Sequence, residues 1–220
     1  MDNFEDILER LTEAAMTYNV SAEARAAPKK IECEIPIGVS NHHLHLSQTD
    51  LNKLFGKGYE LTNIKDLSQP GQYACKETVI ICGPKGAIEK IRILGPVRSK
   101  TQVEIFTGDN FKLGVKAPIR LSGDLEGTPG VTIIGPKGSV QLKEGVIVAQ
   151  RHIHMLPSDA QAFEVHDSQI VDIEIDGPRG GLYKNVIVRA NDASALECHL
   201  DTEEANAMNI NSLSHMKIVK

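Results

Sequence analysis

From about residue 31 onward, apolar and polar residues alternate over short runs broken by Gly and Pro, a pattern of period 2 that predicts strands. Residues 34–39, 77–81, 88–93 and 101–106 read as such strands. Between them, Gly83-Pro84-Lys85-Gly86, Gly135-Pro136-Lys137-Gly138 and Gly177-Pro178-Arg179-Gly180 repeat one turn chemistry. Pro after the first position and Gly at the last suit tight turns, so three β-hairpins are expected. Helical spacing is rarer. Residues 47–55 form one such segment, with Ser47 or Thr49 as cap and Gly56 and Gly58 as stops. Residues 201–208 form another. At the N-terminus, Phe4, Ile7, Leu8, Leu11 and Ala15 fall on one face of a 3.6-residue period, which predicts an amphipathic helix over 1–19. Residues 20–30, mostly small and charged, lack periodicity and read as a linker. An isolated helix of that length is marginal in water, so its apolar face needs a partner.

One feature recurs at a longer period. His43-Leu44-His45 and His152-Ile153-His154 are two His-x-His segments, 152 − 43 = 109 residues apart, about half the 220-residue chain. In a strand, residues i and i+2 share a face. His43 would therefore stand beside His45, and His152 beside His154, with His42 turned away. In both copies a helix-starting signal follows, at Ser47 and Asp50 in the first and at Ser158 and Asp159 in the second. The pattern reads as an internal duplication of a strand–helix unit. The expected class is mainly β with short capping helices, in two β-barrel domains.

Composition adds mostly exclusions. The chain is 41% hydrophobic and 24% charged, with a net charge of −5, and carries no basic footprint for nucleic acid. No apolar run approaches the ~20 residues of a membrane span. Cys33, Cys75, Cys82 and Cys198 form no C-x-x-C pair. Asp2, Glu5 and Asp6 stand where a signal peptide needs positive charge, so a cytoplasmic protein with reduced thiols is expected.

Paired imidazoles on one face are part of a metal site, and a catalytic zinc usually takes three protein ligands. His199 is the candidate third ligand for His152 and His154. Glu77 and Glu104 both lie on strands and are equal candidates to join His43 and His45. Arg98 follows a strand in a turn and suits bidentate recognition of phosphate or carboxylate. Lys85 and Arg92 add positive charge nearby in sequence. Nucleotide-binding Gly motifs and G-x-S-x-G are absent. The residues alone thus lead to a duplicated β protein with a His-rich, dinuclear metal site: a metallohydrolase, a metal-dependent acyltransferase or a metal-stabilised structural protein.

Three segments carry a resemblance: residues 37–47 (IGVSNHHLHLS), 93–98 (ILGPVR) and 150–155 (QRHIHM). Together they look like the PduL-type phosphate propanoyltransferases, phosphotransacylases of bacterial microcompartments. The resemblance implies reversible conversion of propanoyl-CoA or acetyl-CoA and phosphate to acyl phosphate and CoA, by direct phosphate attack assisted by two zinc ions between the barrels. It implies a split first domain, residues 31–41 plus 150–220, with 42–149 inserted. It implies zinc on His43, His45 and Glu104 and on His152, His154 and His199, phosphate on Arg98, and CoA on Val39, Ser40, Asn41, Lys85, Arg92 and Asn206. His42 departs from the Arg found in many members. The same resemblance makes residues 1–19 an encapsulation peptide for shell or cargo proteins, and sets the protein, alone or as a homo-oligomer, inside a microcompartment.

Overall fold

A computed structural model describes residues 34–219; the helix and linker read over 1–30 lie outside the described residues. Fifteen strands and four short helices occur among the described residues. They run β1 (Ile35–Ser40), β2 (His43–His45), α1 (Gln48–Phe55), β3 (Asn63–Asp66), β4 (Tyr73–Cys82), β5 (Ala87–Gly95), β6 (Gln102–Glu104), α2 (Asp109–Leu113), β7 (Ile119–Arg120), β8 (Thr132–Ile134), β9 (Ser139–Gln141) and β10 (Val146–Ala149). After these come β11 (His152–Met155), α3 (Pro157–Ala162), β12 (Ile170–Ile175), β13 (Gly181–Ala190), β14 (Glu197–Asp201), α4 (Thr202–Ala207) and β15 (His215–Val219). No helix among them is long and apolar enough to cross a membrane.

The strands form two β units. One is a closed barrel, β1-β14-β11-β13-β12-β15, completed by β1 pairing with β15 at Ile35 and Met216. The other is a nine-stranded sheet in the order β7-β10-β6-β2-β5-β4-β8-β9, with β3 on β4. Its edges, β7 and β9, are two and three residues long and do not pair with each other, so only the first of the two expected barrels closes by hydrogen bonds. Each unit has its own apolar core. Ile153, Ile173, Val186, Val188 and Leu200 fill the barrel, and Leu44, Ile81, Ile91, Ile93 and Val103 lie under the sheet. Fully burying each such side chain stabilises by about 1.5–3 kcal/mol.

The duplication is explicit in the strand pairing. In the sheet, β2 runs parallel to β5 and antiparallel to β6; in the barrel, β11 runs parallel to β13 and antiparallel to β14. His43 lies opposite Glu104 just as His152 lies opposite His199. Helices follow at matching places: α1 and α3 after the His-x-His strands, α2 and α4 after the opposing ones. Lys90 in β5 and Asn185 in β13 both adopt a left-handed conformation, each two residues before the partner of the first His, and both hairpins shift register nearby. The halves also exchange a strand. β1 leads into β2 yet pairs in the barrel with β14, and β10 leads into β11 yet pairs in the sheet with β6. The chain therefore crosses between units at 41–42 and again at 150–151, beside the histidines both times.

All three repeated turns are hairpin tips, closing β4–β5, β8–β9 and β12–β13. Two of them do more than reverse the chain. Lys85 N donates to Leu113 O at 3.1 Å and Lys137 N donates to Leu54 O at 2.9 Å, so each tip satisfies a carbonyl that the end of α2 or α1 would leave orphaned. The approach is close enough to require glycine. A Cβ at Gly83 would meet Leu113 O at 2.2 Å, and one at Gly135 would meet Leu54 O at 2.7 Å. Ser47 is the N-cap of α1, its hydroxyl accepting from Asp50 N at 3.2 Å; Thr49 lies inside the helix.

Candidate active site

Alternation along β2 and β11 decides what faces where. Leu44 and Ile153 point into the two cores, so the histidines on either side of each point out of them. Cross-strand pairing then sets Glu104 beside His43 and His199 beside His152. Two clusters result: His43, His45 and Glu104, and His152, His154 and His199, each with one ligand atom per residue within 4.8 Å of the others. The clusters adjoin, since Glu104 feels the field of His152 across the gap. Glu77 joins neither. It is 7% exposed on the core-facing side of β4, and its carboxylate accepts from the Tyr59 hydroxyl at 2.8 Å and from Thr62 N.

The imidazoles are oriented by their outer nitrogens. His43 Nδ1 donates to Asn41 O at 2.7 Å and His152 Nδ1 donates to Gln150 O at 2.7 Å, the same contact at the two chain crossings. His45 Nδ1 lies 3.2 Å from Leu94 O. A carbonyl accepts only from N–H, so in the neutral ring the lone pair is on Nε2, directed into the cluster. His152 Nε2 and His154 Nε2 are 3.1 Å apart, a spacing of two ring nitrogens that only a shared proton or a cation makes favourable. His199 is held by Glu197, whose Oε2 lies 2.6 Å from its Nε2; Glu197 also accepts from Ser68, which reaches over from the sheet. Gly38 leaves room for that carboxylate, which a Cβ would meet at 2.6 Å.

The electrostatics suit a cation. Burial, together with the neighbouring imidazoles and Arg98, holds His45 down at about 3; burial and the other imidazoles hold His152 at about 4 and His154 at about 3, so all three are neutral at pH 7. Burial works against charge on both His43 and Glu104, but their pairing outweighs it. His43 is raised and Glu104 is held well below the usual carboxylate range, with His43 Nε2 3.5 Å from Glu104 Oε2. Neutral imidazoles with fixed lone pairs and one buried carboxylate are donor sets that fit a borderline divalent metal such as zinc.

Arg98 is pinned through its backbone. Its N–H donates to Leu46 O at 2.8 Å, and Ser47 and Arg98 form an isolated bridge, so the residue is tied to the strand that bears His43 and His45. Its Nη1 donates to Ser122 Oγ at 2.9 Å. The amide of Gln102, 1% exposed, donates to both Ser122 Oγ and Glu104 Oε1, at 2.8 and 2.6 Å. With Ser122 Oγ accepting two N–H groups, its own hydrogen is free to donate to a bound anion. Ser122, Gln102 and Glu197 were not foreseen from sequence. Gln102 and Glu197 sit two residues before the third member of each cluster, so the period of 2 that found the histidines also marks them. Ser122, in the loop after β7, carries no spacing signal.

Of the other sequence-predicted residues, Ser40 and Asn41 line a cleft with His42, Glu104, Phe106 and Asp201, and Val39 is exposed next to it. Asn206 is in the last turn of α4, which is tied to this end of β1 by Thr202 Oγ1 donating to Ser40 O at 3.0 Å. His42 packs on the Phe106 ring and lies 3.3 Å from Asp109. Arg92 pairs with His43, but its guanidinium donates to Cys75 O and Lys76 O. Lys85 is not brought to Arg92. It is at the far tip of the β4–β5 hairpin, roughly 20 Å of extended strand away.

Comparisons with known proteins agree over most of the chain. The family model described as phosphate propanoyltransferase matches residues 36–211. The phosphate propanoyltransferase of Thermotoga maritima is 56% identical over 187 residues, covering 84% of this chain and 89% of its own. That of Rhodobacter capsulatus is 51% identical, covering 84% and 86%. That of Clostridioides difficile is 49% identical, covering 87% and 91%.

Proposed function

The chain belongs to the phosphate propanoyltransferase family and is an acyltransferase, and from that premise we propose that it joins inorganic phosphate to the acyl group of a short-chain acyl-CoA, propanoyl-CoA or acetyl-CoA, reversibly. An oxygen of hydrogenphosphate attacks the thioester carbonyl, a C–O bond forms, the C–S bond breaks, and the proton of the phosphate passes to the departing CoA thiolate. What supports this reading is the pair of adjoining three-residue donor sets, with the backbone-pinned Arg98 close enough to the first to act on His43 and His45.

His43, His45 and Glu104 would hold one zinc, and His152, His154 and His199 the other. Bound there, zinc supplies Lewis acidity to the carbonyl and charge stabilisation to the thiolate. Arg98 holds the phosphate bidentately, with Ser122 donating to the same anion. Fixing the nucleophile at near-attack distance is worth about 7–11 kcal/mol in the best model systems. Val39, Ser40, Asn41, Lys85, Arg92 and Asn206 contact CoA, Lys85 from the hairpin tip docked on the end of α2. His42, where many members carry Arg, is committed to Asp109 and Phe106 and adds less to binding the CoA phosphates. No acyl-enzyme is needed. The thiols of Cys75 and Cys198 are buried in the cores, and burial pushes Cys75 up to about 11 and Cys198 well above the ordinary value.

The test is CoA release from propanoyl-CoA with and without phosphate, before and after chelation. Release is expected only with phosphate, with acyl phosphate as co-product, and is expected to cease once the metal is stripped and return with zinc. Equal release in the absence of phosphate would make the protein a thioester hydrolase and overturn the reading.

Residues 1–19 are proposed to be an encapsulation peptide for a microcompartment, joined by the linker 20–30 to a catalytic core of 31–41 plus 150–220 and 42–149. The family match begins only at residue 36. A protein starting near Lys30 is expected to keep the melting temperature and specific activity of the full chain and to lose self-association. A melting point many degrees lower with loss of activity would assign the segment to the core.

A further inference from the structure

We propose that Arg189 is a second phosphate-holding residue of this site, forming with Arg98 a two-arginine clamp on the attacking phosphate; the inference rests on the phosphotransfer reading above.

Strand geometry puts Arg189 there. In β13, Val186 and Val188 point into the barrel, so Ile187 and Arg189 point out of it. β13 runs parallel to β11 with His152 paired to Ile187 and His154 paired to Arg189. Paired residues share a face, so the guanidinium stands beside His154, on the side where the second cluster lies. In the sheet, by the duplication, the corresponding place next to His45 is Leu94. The arginine is therefore a departure from the repeat, made on the cluster side.

Its surroundings answer its charge only at a distance, since Asp167 feels its field but makes no ion pair with it. Arg92, Arg98, Arg120 and Arg151 each have a hydrogen bond or ion pair. Arg189 is half-buried and has neither among the described residues. A partly desolvated guanidinium without a partner is unfavourable. The nearby carboxylates are engaged elsewhere: Glu104 with His43 and Gln102, and Asp167 with Ala190 N and Ser168. The other cation in reach is Arg98, which Arg189 disfavours further, after burial. Two like charges within each other's field, one from each β unit and beside donor sets that themselves fit cations, are balanced by a multiply charged anion. Phosphate supplies it, and each guanidinium can take two of its oxygens. The phosphates of CoA have the same chemistry. They are separated from the thioester by the whole pantetheine arm, however, whereas Arg189 is next to a cluster where the thioester reacts, so inorganic phosphate is the occupant.

The experiment compares wild type with Arg189→Ala, Arg189→Lys, Arg98→Ala and the double Ala variant. Phosphate is titrated in the CoA-release assay, phosphate binding is measured by calorimetry without acyl-CoA, and metal content is measured on every protein. Arg189→Ala is expected to raise the KM for phosphate and weaken calorimetric phosphate binding about a hundredfold, the loss of a bidentate charge-assisted pair. Its metal content and KM for acyl-CoA should stay at wild-type values, and Lys should recover part of the loss. An unchanged phosphate KM and affinity would overturn the proposal. So would a metal content that falls with Arg189, which makes the residue structural. So would a raised KM for acyl-CoA that disappears with an acyl-pantetheine lacking the nucleotide phosphates, which makes CoA its ligand. A wild type that releases CoA without phosphate fails the phosphotransfer reading instead, and the calorimetry still tests the clamp.

Discussion

Glu104→Gln is expected to abolish transfer while leaving the fold in place. The substitution keeps the shape of the side chain and removes its charge. That charge is buried, flanked by His43, and held far into its ionised form by His43 in spite of burial. A neutral amide at this place is a poor metal ligand, and its NH₂ would also oppose the amide of Gln102, which now donates to Glu104 Oε1 at 2.6 Å. The first cluster should lose its metal in dilution and the second keep it, so bound zinc should fall from about two per chain to about one. Loss of one Lewis acid worth several kcal/mol of transition-state stabilisation predicts a drop in turnover of about a thousandfold or more. Elemental analysis and the phosphate-dependent assay read the two effects separately. A variant that keeps both its metal and its rate would remove Glu104 from the site.

How much of this arrangement was visible in the chain depends on whether its cause is periodic. The spacing of 109 residues between His-x-His segments reports the duplication directly, because a duplicated strand keeps its face. The third members of the clusters, Glu104 and His199, are themselves 199 − 104 = 95 residues apart, close to the same period, and occupy equivalent registers. Their residue types differ, which hides the repeat from anyone looking for a second histidine. Glu77 was an equal candidate because strand propensity says nothing about which face a residue takes. Register settles it, turning Glu77 toward Tyr59 and Thr62. The closure of one β unit and not the other depends on which distant strands meet at the edges, and no local signal encodes that. The exchange of β1 and β10 between units likewise has no local signal, because it depends on which distant strands each of them pairs with. The hairpin tips were recognised as turns, but that two of them dock on helix ends is a long-range contact, recorded in sequence only by their glycines. Ser122 and Arg189 were missed for the same reason: each acquires its role from a neighbour far along the chain.

Arg98→Ala carries the second large effect, and it should fall on phosphate rather than on metal or fold. The backbone anchor, Arg98 N–H to Leu46 O, does not depend on the side chain, so the turn that carries residue 98 should persist. What goes is a half-buried guanidinium, hydrogen-bonded to Ser122 and within the field of Glu104. Phosphate is a modest nucleophile, and its rate of attack depends on being held at the carbonyl. Charge-assisted hydrogen bonds are worth about 1.5–3 kcal/mol each, so loss of a bidentate pair predicts a fall of at least about a hundredfold in kcat/KM for phosphate. Lys at 98 should restore the charge but not the planar fork, and recover only part of that loss. Bound metal and the KM for acyl-CoA should match wild type, because neither donor set includes Arg98. Initial rates over a phosphate series in the Ala, Lys and wild-type proteins measure this, and an Ala variant with wild-type phosphate dependence would mean that the nucleophile is held by other groups.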